Sequence, residues 1–141
     1  MDLSNRTEEL RIGVRILDCD HREMSETIHE VMTGIDQDMD PDRTGSLLRK
    51  LAKFSLVHFG LEEGMMRATG YPGMDPHRLN HQRITEQLNG LVARHGRGGL
   101  VQKRGALSFL HELHSAHVRT DDLRYGEWLD TTGKHMDNRE S

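Results

Sequence analysis

The stretch HFGLEEGMMRATGYPGMDPHRLNH, residues 58–81, decides how this chain folds. It begins inside one helix and breaks at Gly70, Pro72 and Gly73. A second helix starts at Asp75-Pro76, where a capping carboxylate precedes a proline suited to the first helical position. Helical geometry brings residues four apart onto one face. His58 and Glu62 meet that spacing before the break, and His77 and His81 meet it after. Each pair can present two ligands to one metal centre from a rigid element. Imidazole plus carboxylate suits iron, zinc, copper or nickel, with geometry deciding between them.

The helix that ends in this stretch runs from about Pro41 to Met66, with Asp40 as its N-cap and Leu47, Leu48, Leu51, Phe54 and Leu61 on its inner face. The helix that follows runs to about Arg94 through Leu79, Ile84, Leu88, Leu91 and Val92, and HGRGG at 95–99 ends it. Upstream, Met24, Ile28, Val31, Met32 and Ile35 mark a helix from about Asp18 to Asp36. Downstream, Leu107, Leu110, Leu113 and Val118 mark one from about Val101 to Leu129. Short connections between long helices make neighbours antiparallel. The expected fold is all-α, an up-down-up-down four-helix bundle over residues 18–130, within a single domain spanning 1–141. The first fifteen or so residues read as an arm, with Leu10, Ile12, Val14 and Ile16 able to pack on the bundle and Arg11 to Leu17 briefly alternating as an extended segment would.

Charged residues make up 30% of the chain and apolar ones only 34%, a lean supply for a core that bound metal would reinforce. The net charge of −4, with both signs interspersed, gives no electrostatic grip on nucleic acid. No apolar run is long enough to span a bilayer, and the polar opening segment is no secretory signal. A lone cysteine, Cys19, forms no internal disulfide and reads as a small packing residue. A cytoplasmic protein is the expectation. The compositional outlier is ten histidines. Taken with two acids, five of them form a set distributed over all four helices: His21, then His58 and Glu62, then His77 and His81, then His117 and Asp122. Five imidazoles and two carboxylates are too many for one ordinary ion and suit two. Buried without a metal, they would carry a desolvation cost.

The order and spacing of these pieces resemble a family. DCDH at 18–21 resembles the first-helix DxxH of hemerythrins. The 58–81 stretch resembles their HFxxEE segment, tyrosine-proline turn and HxxxH, and HVRTDD at 117–122 resembles their HIxxxD. The likeness covers about residues 12 to 129 and is to the single-domain bacterial members. It implies a non-haem di-iron centre with an oxo or hydroxo bridge. His77, His81 and His117 would hold one iron, His21 and His58 the other, and Glu62 and Asp122 would bridge them. Counting donors against two six-coordinate ions leaves one open place, on the two-histidine iron. Dioxygen binding there reversibly, for storage, delivery or sensing, is the implied function, and the sequence leaves the protein partner open.

Two positions test the pattern. His117 and Asp122 are five apart, about 140° around an ideal helix, whereas Asp121 aligns better. The family pattern favours Asp122 and needs a local widening of the helix. Where relatives usually carry leucine, three residues before His117, this chain has His114. His114 either tilts out to water or enters the ligand pocket beside Val118. In the second case it favours an alternative function, a di-iron enzyme acting on peroxide or nitric oxide. His111 and His95 are expected at the surface. Gly60 and Gly64 either make room near the metals or merely weaken their helix. Met65, Met66 and Met74 read as flexible core filler.

Overall fold

The computed structural model describes residues 14–37, 40–96, 108 and 111–133. Four helices carry them. They are α1 (Arg15–Asp36), α2 (Pro41–Thr69), α3 (Met74–Gly96) and α4 (residues 111–132). The middle of α4, Val118–Asp122, is a π-helical turn, and Leu123–Thr132 completes it. Among the described residues there is no strand, and the fold is the all-α four-helix bundle that the sequence predicts. Helix α2 packs along both α1 and α3.

The helix ends follow local chemistry. Asp40 caps α2, its side chain accepting from the Asp42 N–H at 3.3 Å, and Pro41 opens the helix. Gly70 closes α2 in the left-handed region (φ 73°), and the Tyr71 N–H donates back to the Met66 carbonyl at 2.9 Å. Helix α3 starts at Met74, ahead of the expected Asp75-Pro76 start. Pro76 then falls in the first turn, where a missing N–H leaves no bond unmade. Helix α1 starts at Arg15, earlier than expected, so the segment read as extended is already helical from there. Only Val14 stays extended, and its carbonyl accepts from the Asp18 N–H at 2.8 Å. Winding early puts Leu17 into the core beside Val14. Leu10, Ile12, Leu107 and Leu110 lie outside the described residues.

The core divides into two apolar clusters. Met24, Ile28, Leu48, Leu51, Ile84 and Leu88 anchor one. Leu17, Met65, Met66, Val118, Tyr125 and Leu129 anchor the other, and Met74 packs against it. The methionines are therefore core filler, as expected. Leu61 (37% exposed) and Leu79 (60% exposed) depart from their expected inner positions. The buried stripe of α2 runs through Leu51, Ser55, His58, Glu62 and Met66, which turns Leu61, about 100° from Glu62, outward. Leu79 sits two residues from both His77 and His81, about 200° away from each. Cys19 is exposed rather than packed. A Cβ added at Gly60 or Gly64 meets nothing within 4 Å, so neither glycine makes room for the metals.

Because only glycine takes the left-handed conformation without a Cβ penalty, Gly70→Ala is expected to lower stability by about 1–2 kcal/mol. The urea midpoint of the metal-free protein measures this. An unchanged midpoint would contradict the role given to the α2 cap.

Candidate metal centre

Each helix contributes candidate ligands from its buried side. His21 comes from α1, His58 and Glu62 from α2, His77 and His81 from α3, and His117 and Asp122 from α4. All seven side chains are buried. The Nε2 atoms converge on two carboxylates. His77 Nε2 lies 2.5 Å from Glu62 Oε1 and 2.6 Å from Asp122 Oδ1. His81 Nε2 is 3.0 Å from Glu62 Oε1, and His117 Nε2 is 3.1 Å from Asp122 Oδ1. On the other side His21 Nε2 is 3.0 Å from Asp122 Oδ2, and His58 Nε2 is 3.3 Å from Glu62 Oε2.

The π-turn settles which aspartate points inward. Its wider winding brings Asp122, five residues after His117, onto the same buried face. Asp121 is turned to a different task. Its Oδ2 accepts from His117 Nδ1 at 2.9 Å and from Asn80 Nδ2 at 2.6 Å. Two other carboxylates do the same for their histidines. Asp20 Oδ2 is 2.9 Å from His58 Nδ1, and Glu63 Oε2 is 2.8 Å from His81 Nδ1. A carboxylate only accepts, so each Nδ1 carries the hydrogen and each Nε2 turns toward the centre. The Phe59 ring stacks on His81 at 4.1 Å and further fixes that imidazole.

A metal fits these donors better than protons do. His21 Nε2, His58 Nε2, His117 Nε2, Glu62 Oε2 and Asp122 Oδ1 are buried close to opposite charge, yet none has a hydrogen-bond partner among the described residues. Buried polar atoms are nearly always satisfied. Two overlapping groups emerge, each with ligand atoms lying within 4.8 Å of one another. One is Glu62, His77, His81, His117 and Asp122; the other is His21, His58, Glu62 and Asp122. Both carboxylates belong to both groups, so the first group has five residues and the second has four.

Sequence reasoning named all seven of these residues. It missed Asp20 and Glu63, whose only local signals are the acid before His21 and the second glutamate of the EE pair. It also placed His111 in solvent, whereas His111 is buried. His95 is half-buried, its Nε2 2.7 Å from the Pro41 carbonyl. His114 does not tilt out to water. It is 1% exposed, its ring 6.1 Å from that of His21. Val118 is fully buried in the cluster with Tyr125.

In the metal-free site, burial disfavours the imidazolium form of His21, yet Asp122 and Glu62 outweigh it and raise the group to about 10. The same opposition raises His117 to about 10 and His77 to about 9. Burial alone would raise Asp122 and Glu62, but the surrounding histidines hold both below the ordinary carboxylate range. The folded state therefore grips these histidine protons more tightly than the unfolded chain, where they titrate near 6.5. That stabilisation is complete below about pH 6.5 and is lost as pH rises through about 9 to 10. The two carboxylates act oppositely, stabilising above their ordinary range and losing that contribution as pH falls through their depressed values. The metal-free protein should thus melt progressively lower from about pH 6.5 to about 10, while metal uptake strengthens over that interval as protons become easier to displace. A flat metal-free profile would contradict this. Separately, Asp121→Ala should weaken metal affinity by about 10–100-fold through loss of its hold on His117, as metal titration would measure.

Residues 12–129 match the family model described as Hemerythrin HHE cation binding domain. The chain is similar to myohemerythrin of Sipunculus nudus, 26% identical over 118 residues, covering 84% of this chain and 87% of that protein. It is similar to bacteriohemerythrin of Stenotrophomonas maltophilia (strain R551-3), 24% identical over 123 residues, covering 85% and 77%. Bacteriohemerythrin of Pseudomonas paraeruginosa (strain DSM 24068 / PA7) is 25% identical over 120 residues, covering 84% and 76%.

Proposed function

The chain belongs to the hemerythrin family, and from that premise we propose that its buried donors hold two iron ions and bind dioxygen reversibly at one of them. His77, His81 and His117 would hold one iron, His21 and His58 the other, and Glu62 and Asp122 lie within reach of both. Nitrogen and oxygen donors of this kind suit iron. When bound in the ferrous state, the pair supplies the two electrons that dioxygen takes up. The observation that carries this reading is the unequal division of donors, five residues on one side and four on the other. The poorer side, at His21 and His58, has one donor fewer and so leaves a coordination place for an external ligand.

The chain's own residues keep that chemistry contained. Asp20, Glu63 and Asp121 fix the orientation of three ligating rings and strengthen them as donors. Burial of all seven ligands excludes bulk water, which favours release of dioxygen unchanged. Ferrous-loaded protein mixed with oxygen should develop a charge-transfer absorption band that disappears on evacuation. A band that never forms, or never reverses, would contradict oxygen carriage.

One observation favours a second reading, an enzyme acting on peroxide or nitric oxide. His114 is buried beside His21, where a nitrogen-bearing ring can hydrogen-bond a reacting ligand. Steady-state consumption of hydrogen peroxide or nitric oxide that is lost in His114→Leu supports the enzyme. Equal rates in both proteins remove it.

A further inference from the structure

Three buried polar side chains on the helices that carry the ligand cluster have no hydrogen-bond partner among the described residues. Neither nitrogen of His114 makes a hydrogen bond among the described residues, and the same holds for the hydroxyls of Ser25 and Ser55. All three residues are at most 2% exposed. Helix register puts them on one side of the site. Ser25 lies one turn after His21 on α1. Ser55 lies three residues before His58 on α2, and His114 three before His117 on α4. Helix α1 runs opposite to α2 and α4, so all three positions are displaced toward the same end of the bundle.

Ser25 and Ser55 come from α1 and α2, the helices that also carry His21 and His58 of the poorer donor group. The rings of His21 and His58 are 4.9 Å apart, and the His114 ring approaches His21 edge-on at 74°. Toward the other end of the bundle the surroundings are Leu17, Met65, Met66, Val118 and Tyr125. The polar groups are thus gathered on one side rather than scattered. Interiors rarely leave such groups unsatisfied, because each forfeits its bonds to water.

His114 stands outside both groups of converging ligand atoms, so it is a neighbour of the metal position rather than part of it. An imidazole has at least one hydrogen to give, and each serine hydroxyl has another. Dioxygen is a weak acceptor of hydrogen bonds. A small anion accepts them strongly, and an ion-bound one still has a distal atom to offer.

We propose that His114, Ser25 and Ser55 form a hydrogen-bonding layer over the His21–His58 metal position, selecting small hydrogen-bond-accepting anions as its ligands. This rests on the two-iron reading and names the ligand class that its open position prefers. The layer grips the anion's metal-distal atom while the metal holds the other end.

The test is azide binding by the iron-loaded, oxidised full-length protein, followed by the azide-to-iron absorption band. Parent, His114→Leu and Ser25→Ala/Ser55→Ala proteins are titrated, and iron is assayed on the same samples. Both variants should keep the parent's iron content; His114→Leu should bind azide about tenfold more weakly, the weight of one hydrogen bond, and the double serine variant about a hundredfold more weakly. Affinities within about twofold of the parent at full iron loading overturn the layer and leave the iron reading intact. A parent that holds fewer than two irons overturns the iron reading itself and the layer with it. In the metal-free chain, His114→Leu should melt higher, because it removes an unpartnered buried ring. A lower melting midpoint shows that His114 serves packing and overturns the proposal.

Discussion

Glu62 and Asp122 are two carboxylates cut off from water, and the interior must compensate their charge. Both are at most 1% exposed, and an isolated buried anion is among the costliest groups a fold can contain. Five imidazoles surround them, drawn from all four helices. Without metal, protons on His21, His58, His77 and His117 supply the compensation, which is why their pKa values rise. With metal, cations supply it directly and the unpartnered nitrogens and oxygens become ligands. Either way, the charge balance ties the four helices together across a chain that is only 34% apolar.

The irregular turn of α4 follows from that need. An ideal helix would direct Asp121 inward and leave Asp122 to one side. The π-turn at Val118–Asp122 exchanges their roles. Asp122 reaches the centre, and Asp121 supports His117 from behind. Helical widening of this kind gives up regular backbone bonding, and it recurs where function requires a side chain to be re-aimed. Three histidines are backed by acids on their outer nitrogens, so rigid placement of the rings extends one layer beyond the ligands.

Most of this was legible in the sequence because it is helical. A four-residue repeat exposes His58 with Glu62, and His77 with His81, without knowledge of the tertiary fold. Asp122 was legible only through the family pattern, since ideal geometry argued for its neighbour. The backing acids were hidden for a different reason. Asp20 meets His58 across 38 residues of chain, and Glu63 meets His81 across 18, distances that no local periodicity encodes. Leu61 and Leu79 mislead because apolar character does not guarantee burial, and the buried stripe is in places made of histidine, glutamate and serine. His114 stayed open because its ring direction is fixed by packing against α1, which spacing along α4 does not reveal.

The central claim is that two metal ions share Glu62 and Asp122. Diffraction from crystals of the iron-loaded protein, recorded at the iron absorption edge, tests it most directly. The account predicts two anomalous peaks inside the bundle, each within ligand distance of both carboxylates, one also bound by His77, His81 and His117 and the other by His21 and His58. A single peak, or two peaks that do not share those carboxylates, would contradict it.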